Sequence, residues 1–527
     1  MVLCFCPKFR RVITKSKGDW IQMAETLKTD VAIVGGGGAG LAAAVQAAEK
    51  GAKVLVLEKR RSVGGHSAMA GGFFAAESPA EKRRMIDAPK DELFKAGMDF
   101  HHWTIDPRIL RAYVDISGDT ERWLEEKGLN VEFICAMNPH YNIRTFHRVL
   151  GATVLRPLMK SCDELGVKIL CQSPVKKLLT DAKGNVTGVL ATTEKGELKV
   201  EAKSVIITTG GYGGNKKMLK KYCPTYSEDI IYIGLKEVAG DGLQMAIDIG
   251  AGTEGLGILH YWGPRFPGTR LVNLLNQRPE AIWINKNGER YFDEGLLFDM
   301  GLRGNVVDRQ PGKLSYTVFD EKIKNNVIKD NIIGAEGTNI GIRVPKTGGQ
   351  QWADLSKDLG EHIDKIYGVR AVAGSKWTDL PDMLKLEANR GNVKISNSWT
   401  EIAKWMGTSP AVLKATIDEY NSFCDQGHDA TFVKDRRFLI PLRTPPFYAV
   451  KCYSHYPDTI GGIKINHRME VLDKQDKPIP GLYAAGVCCG GWQSETYCFA
   501  LTGSMFGFAL NSGRIAADSA VKKVLKK

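Results

Sequence analysis

The sequence lacks the features that mark several common protein classes. Its 527 residues include eleven cysteines, but no CxxC pair and no regular spacing, which argues against a zinc ribbon, an iron–sulfur cluster, attached c-type haem or a disulfide framework. No apolar run approaches the roughly 18 to 20 residues that span a bilayer. The N-terminus lacks the apolar segment of a secretory signal. We therefore expect no metal site, no membrane span and a reducing cytoplasm as the location.

Positive charge is in excess, but it is not arranged as a nucleic-acid surface. The formal net charge is +13, and the first 29 residues hold six Lys/Arg against two acids, while the C-terminal "KKVLKK" adds four lysines. Because the remaining charges are mixed in sign, we expect no nucleic-acid partner. A mildly positive cleft for an acidic substrate or an anionic cofactor is the better interpretation. Met23 could be the start, with the 22 residues before it an extension.

The clearest motif is a strand–helix–strand unit, which reads "TDVAIVGGGGAGLAAAVQAAEKGAKVLVLEK" from residue 29. Gly35, Gly37 and Gly40 form GxGxxG between a short apolar strand and an Ala-rich helix, and Glu58 ends the next strand. In such units the first glycine makes a tight turn and the second lets the backbone approach a pyrophosphate. The third lets the helix pack on the strand, and the acid binds ribose hydroxyls. The sequence therefore predicts a dinucleotide site, without deciding between FAD and NAD.

Three later stretches add glycine-rich turns beside strands. They are "GGHSAMAGGFFAA" at 64–76, a predicted β-meander that ends in "SVIITTGG", and the strand and turn "PIPGLYAAG" from residue 478. The small residues of the first stretch would let the ribityl chain and ring of a flavin pass close to the backbone. These stretches favour FAD, and the chain length predicts two or three domains.

In their order along the chain, these motifs resemble the flavoprotein family of succinate dehydrogenase and fumarate reductase, which includes soluble fumarate reductases and, more distantly, 3-ketosteroid dehydrogenases. Three further motifs carry the resemblance, which covers residues 30–517: "GDGLQMAIDIGA", "NKNGERYFDE" and "TIGGI". The resemblance implies an α/β fold, with a Rossmann-like FAD-binding domain and an inserted α+β capping domain. The implied domains are a basic extension (1–28), the two parts of the FAD-binding domain (29–255 and 453–527) and the capping or substrate domain (256–452).

The resemblance also implies that FAD is the cofactor and is held without a covalent bond. In membrane-bound relatives a histidine near the first glycine-rich loop bonds to FAD, but the spacing from His66 to the next "GG" is one residue short. A family glutamate after "GLYAAG" is replaced by Val487. The residues implied to bind FAD are Gly35, Gly37, Gly38, Ala39, Gly40, Glu58, Lys59, Gly65, His66, Ser67, Gly71, Gly72, Val175, Thr209, Gly210, Gly211, Asp241, Gly486, Gly503 and Ser504.

Three residues are candidates for the chemistry. The family moves a hydride between FAD and a carbon beside an activating carbonyl, while a protein group transfers a proton at the neighbouring carbon. In the family this group is an arginine of the capping domain, and Arg303, between "GERYFDE" and the strand "SYTVFD", is the match. His260 remains from a family His-Pro-Thr motif, here "HYW". Tyr497 lies two residues from Phe499, which takes the place of the ketosteroid dehydrogenases' tyrosine.

The carboxylate-binding residues of the family are missing. Ala500 stands where an arginine grips the substrate carboxylate. Pro457 and Asp458 stand where a second histidine is expected, and His455 is displaced from it by two residues. Because a bidentate arginine is a strong anchor for a carboxylate, we expect fumarate and succinate to be disfavoured.

The leading hypothesis is an FAD-dependent oxidoreductase that reduces or introduces a C=C bond next to a carbonyl. The substrate would be a small molecule such as an enoate, a cyclic enone or an aromatic acrylate, and the electron donor or acceptor is not identified by the sequence. One alternative is a flavin oxidase of an amine or a hydroxy acid, which would form hydrogen peroxide. Another is a flavoprotein electron-transfer subunit of a larger complex, which would show no turnover without its partner.

Overall fold

A computed structural model describes residues 25–136, 143–276, 278–297, 299–330 and 377–525. Most of the predicted N-terminal extension lies outside the described residues. Its last four residues, from Glu25 onward, belong to the first strand.

The described residues form nineteen strands and fourteen α-helices. The strands are β1 (Glu25–Val34), β2 (Val54–Leu57), β3 (Gly72–Phe74), β4 (Phe133–Cys135), β5 (Phe146–Arg148), β6 (Lys168–Leu170), β7 (Val175–Thr180), β8 (Val186–Thr193), β9 (Gly196–Ile207), β10 (Ile231–Tyr232), β11 (Thr253–Leu259), β12 (Ile282–Ile284), β13 (Leu314–Asp320), β14 (Val393–Ser396), β15 (Phe447–Tyr453), β16 (His455–Tyr456), β17 (Thr459–Ile463), β18 (Glu470–Leu472) and β19 (Pro478–Ala484). The helices are α1 (Gly38–Glu49), α2 (Pro79–Arg83), α3 (Lys90–Phe100), α4 (Pro107–Glu126), α5 (Gly151–Glu164), α6 (Lys216–Tyr222), α7 (Asp241–Asp248), α8 (Arg270–Leu275), α9 (Met300–Asp308), α10 (Glu321–Asp330), α11 (Leu380–Asn389), α12 (Trp399–Met406), α13 (Pro410–Gln426) and α14 (Ser504–Leu525).

The central sheet has the strand order β18-β19-β9-β1-β2-β6, and β7 and β8 extend it through β9. The pairs β1–β2, β1–β9, β2–β6 and β19–β9 are parallel. Val31, Ala32 and Ile33 of β1 are completely buried, as expected for a parallel sheet covered on both faces. Because β19 pairs with β9, the two stretches predicted for the FAD-binding domain meet in one sheet.

Helix α1 packs closely because its side chains are small. Ten of its residues, from Gly38 to Ala47, are buried, and seven of these are alanine or glycine. On its neighbour α14, a Cβ at Gly513 would collide with the carbonyl oxygen of Ala39. The glycine therefore lets the two helices approach each other directly beside the sheet.

A second layer is built on an antiparallel sheet, with the order β12-β13-β15-β14. Its hydrophobic core draws on residues between Phe266 and Cys452 and is separate from the core of the central sheet. Helices α8–α13 belong to the same stretch of chain. A parallel sheet covered by helices, together with this second α+β layer, confirms the predicted α/β fold class.

Four buried charged side chains hold the second layer together. Arg290 lies 2.7 Å from Glu294 and 2.6 Å from Asp429, and Lys434 lies 3.2 Å from Glu294. A backbone N–H of Trp283 donates to the same glutamate, at 2.9 Å. Burial alone would raise the pKa of Glu294, but the charges of Lys434 and Arg290 outweigh it, and the pKa lies below the usual value. The two cations and two anions therefore stabilise one another in their charged forms.

We expect Glu294→Gln to reduce the free energy of unfolding by about 3–5 kcal/mol, because it leaves Arg290 and Lys434 buried without one of their partners. Urea denaturation followed by circular dichroism would measure the change. Asp418→Asn is the control, because Asp418 pairs with Lys414 on an exposed helix surface and such pairs contribute little. Equal stability of the two variants would contradict a structural role for the cluster.

Candidate active site

A cavity of about 430 Å³ lies at the carboxyl ends of β1, β2 and β9. This is the edge of a parallel α/β sheet where ligands bind, and the volume is within the range of small-molecule sites. Residues from the second layer, among them Arg265, Asn273 and Arg303, line the same cavity. The cavity therefore joins the dinucleotide motif to the layer predicted to cover the substrate.

The glycine motif forms the floor of the cavity. Gly35 has a φ of +108°, which favours glycine, and a Cβ at Gly40 would collide with the Gly35 carbonyl oxygen. The Glu58 carboxylate accepts hydrogen bonds from the N–H groups of Gly36 (2.7 Å) and Arg60 (2.8 Å). Backbone conformation and packing within the protein thus explain why residues 35 and 40 are glycines. The Glu58 carboxylate holds the turn in place.

Gly37 differs, because the protein itself leaves room for a side chain there. A Cβ at Gly37 would come no closer than 4.0 Å to another residue, the nearest atom being the carbonyl oxygen of Gly64. Gly37 is the N-cap of α1 and lines the cavity, and the next N–H, that of Gly38, donates to the Ser67 hydroxyl at 3.1 Å. Space for a ligand at a helix N-terminus is what the phosphates of a dinucleotide need. The residues present therefore fit FAD.

Most of the predicted FAD-binding residues line this cavity. Three do not: Gly40, Gly211 and Ser504. A Cβ at Gly211 would collide with Thr459, so this glycine is explained by packing against β17. Ser504 is completely buried, and its hydroxyl has no hydrogen-bond partner among the described residues. Those that line the cavity are Gly35, Gly37, Gly38, Ala39, Glu58, Lys59, Gly65, His66, Ser67, Gly71, Gly72, Val175, Thr209, Gly210, Asp241, Gly486 and Gly503.

Two of the expected ligand contacts are used within the protein instead. The N–H of Gly503 donates to the Tyr497 hydroxyl at 3.1 Å, so it is already bonded. Lys59 forms an ion pair with Asp241, at 2.6 Å. Both pairs lie at the cavity wall and fix side chains that line it.

His66 is bonded through both ring nitrogens. Its Nδ1 lies 2.8 Å from the Asp458 carboxylate, and its Nε2 lies 2.6 Å from the backbone N–H of Leu235. A carboxylate accepts and an N–H donates, so Nδ1 carries the proton and Nε2 is the acceptor. Asp458 stands where the family has a histidine, and its carboxylate is hydrogen-bonded to His66.

Arg303, on α9, is a buried cation at the cavity. It is only 7% exposed, and its Nε donates to the carbonyl of Trp262 at 2.7 Å. Burial lowers the pKa of Arg303 to about 10, although the charge of Asp299 opposes the shift. A guanidinium with a lowered pKa gives up a proton more readily than one in water.

His260 and Tyr497 lie together, with their rings stacked at a centroid distance of 4.3 Å. The Nε2 of His260 accepts from the indole N–H of Trp262 at 2.9 Å, and its Nδ1 is buried without a partner among the described residues. Burial lowers the pKa of His260 to about 3 and raises that of Tyr497 to about 12. Both groups are therefore neutral near pH 7, and Arg303 is the charged member of the three predicted catalytic residues.

Sequence reasoning missed Trp262, Arg265 and the position of His455. His455 lines the cavity, and its Nδ1 donates to the Gly263 carbonyl at 2.6 Å. Arg265 is buried in the cavity wall, where its backbone pairs with Tyr453. No short motif marks these residues, because their positions depend on pairing between segments almost 200 residues apart.

Further observations concern metals and membranes. The described part of the chain contains no group of three or more His, Cys, Asp or Glu side chains placed to hold a metal ion. Over the same residues, no helix has the length and apolar character required to cross a bilayer.

Comparisons with known proteins agree with this geometry. The vinyl phenol reductase of Lactiplantibacillus plantarum is 29% identical over 499 residues, covering 92% of this chain and 94% of that protein. The open form of a flavocytochrome c3 fumarate reductase superposes with a TM-score of 0.69 at 25% identity, covering 95% of this chain and 79% of the other. A 3-ketosteroid-Δ4-(5α)-dehydrogenase from Rhodococcus jostii has a TM-score of 0.72 at 22% identity, covering 95% of this chain and 98% of the other. At this identity the likeness is one of fold.

The family described as "FAD binding domain" matches residues 30–497. This is most of the chain, and it includes both the glycine motif and the segment that carries Tyr497. The resemblance predicted from the motifs is therefore confirmed, and the protein belongs to the FAD binding domain family.

Proposed function

We propose that this protein is an FAD-dependent reductase of a C=C bond next to a carbonyl. The observation that carries the proposal is the position of Arg303, a buried cation in the same cavity as the glycine motif. The similarity to a vinyl phenol reductase also supports C=C chemistry. The same residues would serve the reverse reaction, which introduces the double bond.

The reaction needs one hydride and one proton. Reduced FAD, when bound, supplies the hydride to one alkene carbon. Arg303 gives a proton to the neighbouring carbon, and the C=C π bond is replaced by two C–H bonds. Its burial and its hydrogen bond to the Trp262 carbonyl hold the guanidinium in place. Solvent must then return the proton to Arg303.

We propose that residues 256–452 act as the capping domain, with the FAD-binding domain in the parts 29–255 and 453–527. The separate core of the second layer supports this division. Arg265, Asn273 and Arg303 come from this layer and line the cavity. When a substrate fills the cavity, these side chains would shield the reacting carbons from water, which strengthens electrostatic interactions there.

Fumarate is a poor fit. Ala500 takes the place of the family arginine and is buried beside the cavity, so no cation stands at that position. Pro457 and Asp458 line the cavity where a histidine is expected. The carboxylate of Asp458 would repel a second substrate carboxylate. We therefore expect a substrate with at most one carboxylate.

FAD is proposed to bind without a covalent bond. Attachment to His66 would need a ring nitrogen, and both nitrogens are hydrogen-bonded within the protein. The described cysteines form no disulfide bonds, which supports the cytoplasm as the proposed location.

Gly37→Val should give soluble, folded protein that is colourless, because the side chain enters space that the protein leaves for the phosphates. Absorbance near 450 nm and circular dichroism of the purified variant would check both parts. Gly40→Val is the matched control and should instead misfold, because its side chain meets the Gly35 carbonyl. A yellow Gly37→Val protein would contradict the assignment.

Acid precipitation of the yellow wild-type protein should release its flavin into the supernatant and leave a colourless pellet. The reason is that His66 has no ring nitrogen to spare for a covalent bond. Absorbance of the two fractions measures the release. Flavin that stays with the pellet after washing would show covalent attachment.

The proposed function is tested with reduced viologen as donor and a set of enoates, enones, aryl acrylates and fumarate. We expect turnover of at least one activated alkene and little turnover of fumarate. Arg303→Ala and Arg303→Lys should lower alkene reduction by about 10²-fold or more, the size of a general acid's contribution. Flavin content and flavin reduction by dithionite should persist.

Arg309→Ala is the control for Arg303, because Arg309 lies just after the same helix and is exposed. Its turnover should equal that of the wild type. Unchanged alkene reduction in Arg303→Ala would remove Arg303 as the proton donor. Absence of reduction of every alkene by the wild type would overturn the proposed function itself.

A further inference from the structure

Five aromatic rings form a continuous wall of the cavity. Phe499 meets Tyr497 edge-on at 4.7 Å, Tyr497 stacks on His260, and Trp262 meets His260 edge-on at 5.6 Å. Trp262 in turn meets His455 edge-on at 6.1 Å. All five residues line the cavity. A surface of this kind favours a planar aromatic ligand, because aromatic rings gain from stacked and edge-to-face contacts.

The last ring of this wall, His455, has a fixed tautomer. Its Nδ1 lies 2.6 Å from the carbonyl oxygen of Gly263, which can only accept, so Nδ1 carries the proton. Gly263 itself is held on the segment that pairs with β15 through Arg265. Among the described residues the side chain of His455 is hydrogen-bonded through Nδ1, and the lone pair of the ring lies on the other nitrogen, Nε2. The ring therefore offers an acceptor, and no donor, to a ligand in the cavity.

The surroundings of His455 keep it neutral. Its burial, followed by the positive charges of Arg265 and Arg303, lowers the pKa of His455 well below the usual value. A neutral imidazole with this tautomer cannot donate to a carboxylate from Nε2. It can accept from a hydroxyl group, which has a hydrogen to give. A hydroxyl that donates to Nε2 pairs this lone pair when a ligand fills the cavity and displaces water from it.

We propose that the substrate is an aryl alkene whose ring carries a hydroxyl group, and that Nε2 of His455 accepts the hydrogen bond of that hydroxyl. The ring lies against the aromatic wall, and the alkene is presented to Arg303. The inference rests on the proposed C=C reduction and names the substrate class for that same site. His455 is thus a specificity-determining residue, and it takes no part in the proton transfer.

Three probes of matched shape test the inference: 4-hydroxycinnamate, 4-methoxycinnamate and cinnamate. The methoxy group is similar in position but has no hydrogen to donate. With the wild type, kcat/KM for the hydroxylated probe should exceed that for the other two by about tenfold or more, because a site built for a hydroxyl rejects analogues that lack the donor. Calorimetric titration of the oxidised protein should show the same order of affinity without turnover.

Variants of His455 separate specificity from folding. His455→Phe should abolish the preference, so that the ratio of kcat/KM for 4-hydroxycinnamate to kcat/KM for cinnamate falls to about one. His455→Gln retains an acceptor oxygen and should keep part of the preference. His428→Phe is the control, since His428 is exposed on the second layer, and it should retain the full preference. Flavin content and circular dichroism confirm that each variant is folded.

The outcomes distinguish the inference from the function on which it rests. Equal rates and affinities for the three probes, with an enone or another alkene reduced, would overturn the hydroxyl assignment and leave the reductase intact. A hydroxyl preference that survives in His455→Phe would move recognition to another residue and overturn the role of His455. Selective binding of 4-hydroxycinnamate without reduction of any alkene would support the site and overturn the proposed reaction.

Discussion

The contact between the end of β1 and the start of α1 is the constraint on which the site depends. The carbonyl of Gly35 lies where a Cβ of Gly40 would be, and the hydroxyl of Thr208 donates to the same oxygen at 2.7 Å. This contact fixes the direction of α1, and with it the position of the helix N-terminus at Gly37. Helix α14 then packs on α1 through Gly513. The floor of the cavity is thus set by backbone groups, with few side chains involved.

The side of the cavity that carries Arg303 and His455 depends on another close approach, between a glycine and a side chain. Gly263 has a φ of +87°, and a Cβ there would collide with the side chain of Arg303. The neighbouring carbonyl of Trp262 accepts from the guanidinium, and that of Gly263 accepts from His455. One short loop therefore positions both the proposed proton donor and the proposed hydroxyl acceptor. Its own place is fixed by the pairing of Arg265 with Tyr453.

The sequence predicted the side of the cavity formed by the glycine motif much better than the side that carries Arg303 and His455. A dinucleotide turn is local: strand, glycines, helix and acid lie within 30 residues, so spacing alone identifies Gly35, Gly37 and Glu58. Arg303 was predicted from its place between two motifs of the capping domain, and it lies in the cavity. Gly211 and Ser504 do not line it, since motif membership does not say which neighbour a small residue packs against. From the sequence, His455 is only a histidine displaced by two residues from the family position. Its place in the cavity could not be predicted, because its neighbours come from residues 262–265 and 303, far away in sequence.

The aromatic wall and the glycine floor come from different segments of the chain. The wall uses the residues at 260–262, 455 and 497–499, whereas the floor uses the turn that follows β1. Exchanges among the ring residues change the shape and polarity of one end of the cavity, while the strand–helix contact at Gly40 stays as it is. Gene duplicates of this protein can therefore diverge in the molecules they accept while inheriting the same flavin cradle, and divergence should accumulate at these few ring positions first.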